Sequence, residues 1–205
     1  MIFEKQVKAE KSQHLLPTHG VEVDLGLLLL DQRRLPAHTE WLDVRDAAGA
    51  ADAIRQMAVR GAPAIGVTAA YAVAMAARDL DTSDKTVFME RLEAAGVEIK
   101  AARPTAVNLM WAVDRMIGIA DSEADINTAK TQLLEEATRI EKEDEEINRR
   151  MGSHGIELMP DGGSVLTHCN AGALATAAYG TAVGVIRAGW EDGKRFKVFN
   201  TETRP

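Results

Sequence analysis

The apolar side chains divide the chain into stretches of different period. Val21 to Leu30 is a Val- and Leu-rich run interrupted by Gly26, and Trp41-Leu42-Asp43-Val44 is a second, shorter one. Short runs of this kind predict strands rather than helices, and the pair predicts a small N-terminal antiparallel sheet. The charged, patternless residues 1–20 predict an extended or mobile lead-in. From Ala48 the period becomes helical, with Ala51, Ile54, Met57 and Ala58 on one face. Gly61 then suits a C-terminal cap, and Pro63 suits the first turn of the next helix. That next helix, Ala64 to about Arg78, is small and apolar nearly all round, as a buried helix should be. A third helix runs through Val87, Leu92 and Ile99, and a fourth through Val107, Met110, Trp111, Asp114 and Ile117. Thr128 to about Met151 reads as a long helix striped by Leu133, Leu134, Ala137, Ile140 and Ile147, its acidic run Glu141 to Glu146 forming a solvated face.

The composition shifts at Gly152-Ser153-His154-Gly155 and again at Pro160-Asp161-Gly162-Gly163. A domain boundary is therefore expected here, dividing residues 1–152 from residues 153–205. Beyond it stand a strand ending at Thr167, a helix from Ala173 to about Glu191 and a strand from Arg195 to Asn200. A right-handed crossover would make the two strands parallel, so the unit is β-α-β and the fold class is α/β overall. Two parallel strands and one helix leave sheet faces uncovered, so this second domain is expected to be incomplete, as a fragment or as a sheet completed by another chain.

Candidate chemistry sits at the strand and helix ends. Cys169, the only cysteine, follows the strand between His168 and Asn170. Ahead of a helix N-terminus a thiol would be favoured as thiolate; away from one it is a small packing residue, and both readings stand. Arg60 in Arg60-Gly61-Ala62-Pro63 and Arg103 in Arg103-Pro104-Thr105 each precede a helix start. Each is either a cap-region residue or part of an anion site made of a guanidinium and open N–H groups. His168 is read as a structural histidine, because neighbours on a strand point to opposite faces. Gly180, Gly184 and Gly189 fall inside the expected helix, so they read as close-packing positions rather than a dinucleotide fingerprint.

Composition narrows the class. The chain has 205 residues, 46% hydrophobic and only 4% aromatic, which favours close-packed helices. A formal charge of −7 argues against a nucleic-acid surface, which needs clustered Lys and Arg. Five scattered histidines and one cysteine show no zinc spacing, and no metal is expected. One cysteine, no signal-like start and no membrane-length apolar run predict a soluble cytoplasmic protein with no membrane contact.

Several stretches together resemble the methylthioribose-1-phosphate isomerase family. They are Leu28-Leu29-Leu30-Asp31-Gln32-Arg33-Arg34-Leu35-Pro36, Val59-Arg60-Gly61-Ala62-Pro63-Ala64-Ile65-Gly66, Arg103-Pro104-Thr105-Ala106-Val107-Asn108-Leu109, Thr167-His168-Cys169-Asn170-Ala171-Gly172-Ala173-Leu174-Ala175-Thr176 and the terminal Asn200-Thr201-Glu202-Thr203-Arg204-Pro205. The resemblance implies a mostly helical N-terminal domain and a Rossmann-like C-terminal domain with the active site between them. It implies a homodimer, without metal or nucleotide cofactor, that interconverts 5-methylthioribose 1-phosphate and 5-methylthioribulose 1-phosphate in methionine salvage. Matching positions put Arg60, Gly61, Ala62 and Arg103 on the substrate and make Cys169 the catalytic cysteine. The family's catalytic aspartate, a substrate glutamine and an Asn-Lys pair have no counterpart in this chain, which is therefore expected to show little isomerase activity alone. Related ribose-1,5-bisphosphate and 5-deoxyribose-1-phosphate isomerases, or a non-catalytic regulatory subunit of the initiation factor 2B type, remain open on the same motifs. Proton transfer with Cys169 as base and a hydride shift also both remain open.

Overall fold

The computed structural model describes residues 7–15 and 21–202, with side chains described from Gly26 onward. The expected N-terminal sheet is present, with one more strand than the pattern announced. Strands β1 (Val7–Leu15), β2 (Val21–Leu30) and β3 (Trp41–Val44) pair antiparallel in the order β1-β2-β3. The lead-in expectation is thus corrected over residues 7–15, where Val7 pairs with Leu29 and Leu15 with Val21; residues 1–6 and 16–20 lie outside the described residues. β1 has no hydrophobic alternation to betray it, because its ladder bonds to β2 need no particular side chains and charged residues suit a sheet edge.

Helices α1 (Ala47–Arg55), α2 (Ala62–Asp79), α3 (Lys85–Ala101), α4 (Val107–Ser122) and α5 (Ile126–Gly155) follow. Their apolar faces close on α2, which packs against α1, α3, α4 and α5. Ala64, Ile65, Tyr71, Met75 and Ala77 of α2 are all within 2% of complete burial, alongside Phe88, Leu92, Leu109, Met116 and Leu133. Alanines on α2 let the flanking helices approach closely, and the absence of a polar stripe follows from burial on every side. Gly61 does not cap α1. Met57 does so at φ 59°, with the Ala58 N–H donating to the Ala53 carbonyl at 2.9 Å, which leaves Gly61 to start α2.

The acidic run on α5 is not a solvated face. Glu141 is 9% exposed and accepts the Tyr71 hydroxyl at 2.7 Å in the core. Burial, and after it that carboxylate, push the Tyr71 phenol well above its ordinary range. Glu143 takes both ends of the Arg115 guanidinium at 2.7 and 3.0 Å, tying α5 to α4. Asp144 turns toward the loop described below, while Glu146 is exposed. An acidic run can face inward wherever each carboxylate finds a donor, which composition does not reveal.

The parallel expectation is met: β4 (Ser164–Thr167) and β5 (Lys197–Asn200) pair in parallel. The helix between them is shorter than expected. α6 spans Ala182–Glu191, and residues 173–175 form only a single 3-10 turn. Helix-favouring alanines lose here to tertiary bonds. Thr176 is extended, the Ala177 N–H goes to Asp144, and Tyr179 and Gly180 take φ of 73° and 94°. Gly180 therefore belongs to a turn, whereas Gly184 and Gly189 sit in α6 against Tyr179 and Met159. No helix of the described residues is long and apolar enough to cross a membrane.

Candidate functional site

Among the described residues six α-helices start in two ways. α1, α3 and α5 are each capped by an aspartate: Asp46 accepts from Gly49 N–H, Asp84 from Thr86 and Val87, and Asp125 from Thr128. α2, α4 and α6 begin at Gly61, Ala106 and Thr181 with no side-chain cap. Uncapped N–H groups must find another partner, and the macrodipole makes that end attractive to an anion. All three uncapped residues line one cavity of about 820 Å³. The α6 end is closed in part, since the Ala171 carbonyl accepts from both Thr181 and Val183. The ends of α2 and α4 are the open ones.

Every residue singled out in the sequence for binding or catalysis reaches this cavity. Arg60, Gly61, Ala62, Arg103 and Cys169 all line it, joined by Asn108, Asn170, Thr105, Thr176 and Thr181. No Asp or Glu belongs to that lining. Among the described residues neither Arg60 nor Arg103 pairs with a carboxylate, and the buried Arg60 Nε has no hydrogen-bond partner. Two guanidiniums without counter-ions, beside two open helix ends, form a strongly anion-seeking surface.

Gly61 brings the two sides of the cavity into direct contact. It sits at φ 96°, and a Cβ on it would lie 2.3 Å from the Ala175 Cα. Only glycine satisfies both the backbone conformation and that approach. The opposite wall is fixed from α5. Asp144 Oδ2 accepts the Ala177 N–H at 2.7 Å and the Asn148 amide at 3.1 Å, and Asn148 itself is 2% exposed. Burial holds the Asp144 carboxyl above its ordinary range in spite of those two bonds.

Cys169 is exposed, with φ 71° in the bend after β4. The expected helix start behind it is a 3-10 turn, so its own loop supplies no macrodipole; the positive ends it faces across the cavity belong to α2 and α4. His168 does not join it. Its Nδ1 meets the Thr201 hydroxyl at 2.7 Å, outside the cavity lining, as a structural histidine would. Among the described residues no three His, Cys, Asp or Glu side chains gather in a metal-binding group. Gln32, Asp144 and Asn148, which hold the cavity walls, carry no local motif of catalysis. Nothing in the local sequence signals that role, because groups that Gln32 and Asp144 bond lie far along the chain.

The Initiation factor 2 subunit family model matches residues 58–205, which takes in every residue of the cavity lining. The chain belongs to that family. Among curated relatives, the methylthioribose-1-phosphate isomerase of Desulforamulus reducens is 50% identical over 181 residues, covering 87% of this chain and 52% of its own length. That of Acetivibrio thermocellus is 52% identical, with 87% and 53% covered. The chain thus spans about half the length of the curated relatives it matches. Among solved structures of the family, 5-methylthioribose 1-phosphate isomerase from Pyrococcus horikoshii aligns with a TM-score of 0.78 at 33% identity, over 85% of this chain and 57% of that one. Translation initiation factor eIF-2B subunit delta from A. fulgidus aligns at 0.77 and 44% identity, over 88% and 53%.

Proposed function

We propose that this chain carries the sugar-phosphate side of an aldose-ketose isomerase that converts 5-methylthioribose 1-phosphate to 5-methylthioribulose 1-phosphate in methionine salvage. One observation carries the reading: the three α-helix starts without side-chain caps all open on the cavity that holds two unpaired arginines and the cysteine. The curated relatives at about half identity bear the name of that enzyme. In this reading the α2 and α4 ends with Arg60 and Arg103 hold the phosphate, and Gly61 and Ala62 offer backbone to it.

The chemistry asks for such a site. A phosphorylated anomeric oxygen blocks spontaneous opening of the sugar ring, so a proton must reach the ring oxygen before hydrogen moves between C2 and C1. Clamping the phosphate holds those carbons in register; Cys169 as thiolate takes the proton from C2 and returns it to C1, and the C2 hydroxyl gives up its proton to become the ketone, balancing the one gained by the ring oxygen. The cavity lining has no carboxylic acid, so the ring-opening proton comes from outside that set of residues. We read β4, α6 and β5 as the opening of a Rossmann-like sheet beginning near residue 153; the exposed Leu166 and Phe199, paired across it, support a face that is covered in the working enzyme. The working enzyme is in this reading a cytoplasmic homodimer that binds neither nucleic acid nor membrane.

The test is the cysteine. Alkylation of Cys169 should slow when 5-methylthioribose 1-phosphate is added, and Arg60→Ala or Arg103→Ala should each weaken that protection about tenfold or more, the scale of a lost charge-assisted bond. A thiol alkylated at one rate with and without the sugar phosphate overturns the reading. Likeness to the A. fulgidus structure favours a second one, a regulatory subunit that binds a sugar phosphate without turning it over. Protection of Cys169 without ketose formation, in the chain joined to its relatives' second half, would select it.

A further inference from the structure

The stretch Asp31-Gln32-Arg33-Arg34 lies outside the cavity lining, yet it contains one of the most deeply buried polar side chains of the protein. Gln32 is 2% exposed. It sits in a single 3-10 turn after β2, Gln32–Arg34, whose start is capped by Asp31. Asp31, 3% exposed, accepts the Arg33 N–H at 3.0 Å and grips the Arg33 guanidinium at 2.7 and 2.8 Å. That pair makes the turn rigid and sends residue 32 inward.

Inside, Gln32 meets both sides of the cavity. Its Nε2 donates to the Leu174 carbonyl at 2.8 Å and, more weakly, to the Arg60 carbonyl at 3.5 Å. Both partners are pure acceptors, so the amide nitrogen must point at them. Its own N–H donates to the Ala58 carbonyl at 3.0 Å, and its carbonyl accepts Arg60 Nη2 at 3.4 Å. Leu174 belongs to the 3-10 turn whose Ala175 presses on Gly61. One buried carboxamide therefore joins the segment that carries Arg60 to the wall that follows Cys169.

We propose that Gln32 is a positioning residue: by tying the Arg60 and Leu174 carbonyls together it fixes the separation of the arginine and cysteine sides of the cavity and aims the Arg60 guanidinium at the bound phosphate. A long-range hydrogen bond suits this task better than apolar packing, because it specifies one geometry where a hydrophobic contact tolerates several. The Arg60 guanidinium gains a matching restraint. Among the described residues its one side-chain hydrogen bond is to the Gln32 carbonyl, which leaves its other N–H groups for an anion. The proposal rests on the sugar-phosphate reading for what the geometry serves, but the restraint itself exists in the free protein.

The experiment uses two variants of similar size. Gln32→Met keeps the volume and removes the donor; Gln32→Glu keeps the shape and sets carboxylate oxygens against two carbonyls. Hydrogen exchange of the free protein reads the restraint. In Gln32→Met, amides at 60–62 and 173–177 should exchange about tenfold faster while those of α3 stay unchanged. Gln32→Glu should exceed Gln32→Met. Protection of Cys169 from alkylation by 5-methylthioribose 1-phosphate reads the consequence, and its midpoint should rise about tenfold in Gln32→Met. Unchanged exchange in both segments, an increase spread equally over α3, or Gln32→Glu behaving as wild type would each overturn the proposal. If the wild-type chain shows no protection by the sugar phosphate, the functional reading fails while the exchange data still decide the restraint.

Discussion

At the scale of single residues, the site depends on positions where one atom more or less changes the backbone. Gly61→Ala should be severely destabilising locally, since the new Cβ meets the Ala175 backbone at 2.3 Å in a left-handed conformation; a loss of about 2–4 kcal/mol in urea unfolding is expected. Asp144 separates hydrogen bonding from charge. Its Oδ2 alone accepts from Ala177 and Asn148, so Asp144→Asn can keep both bonds with its amide oxygen. Asp144→Val strands two buried donors and should cost about 1–3 kcal/mol. Equal losses in the two variants, measured by urea titration, would show that charge and not the acceptor matters. These residues mark the boundary of what was legible. Arg60, Arg103 and Cys169 stand beside turn signals in the sequence and could be named from them. Gln32 and Asp144 look like ordinary surface residues, because the partners that bury them are backbone groups 142 and 33 positions away.

At the scale of elements, the helix starts divide by what their first residue offers. The aspartate-capped starts should behave as ordinary caps, with Asp84→Ala costing about 1 kcal/mol of stability and leaving anion binding untouched. Ala106→Asp should do the opposite of a damaging mutation in one assay and of a benign one in the other. Ala106 already has the extended conformation of a cap residue, so a carboxylate there can bond the α4 N–H groups and add about 0.5–2 kcal/mol. It also places a negative charge in the cavity lining shared with Arg60 and Arg103, which should abolish protection of Cys169 by sugar phosphate. A thermal melt and the alkylation assay on the same sample decide it; a melt lowered by several degrees with binding intact would contradict the assignment of that helix end. Helices α2 to α5 were legible because their periodic faces are long. The false helix at residues 173–181 was the same inference applied to alanines whose hydrogen bonds are made with other parts of the fold, and β1 was missed because pairing, not pattern, defines it.

At the scale of the whole molecule, the cavity lies between the starts of α2 and α4 and the segment that follows β4, while ion pairs fix the turn after β2 and tie α4 to α5. Arg33 draws the Asp31 carboxyl below its ordinary value, and Arg115 does the same to Glu143. Each acid then binds protons more weakly folded than unfolded. Their stabilisation is full above the ordinary carboxyl value and disappears as pH falls through and below it, near 3.8 for aspartate. Arg33→Met should therefore lower stability by about 1 kcal/mol at pH 7 and by nothing measurable once Asp31 is protonated, as paired urea titrations at the two pH values would show. A difference independent of pH would assign the loss to packing. The two open helix starts, those of α2 and α4, have a wider consequence. On the proposed sugar-phosphate reading an incoming anion completes their polar groups, so the bound ligand would add stability that the chain does not supply for itself, about 2.7 kcal/mol at a hundred times its dissociation constant. On that reading, such a protein would be removed by proteases sooner when its ligand is scarce and preserved when it is abundant.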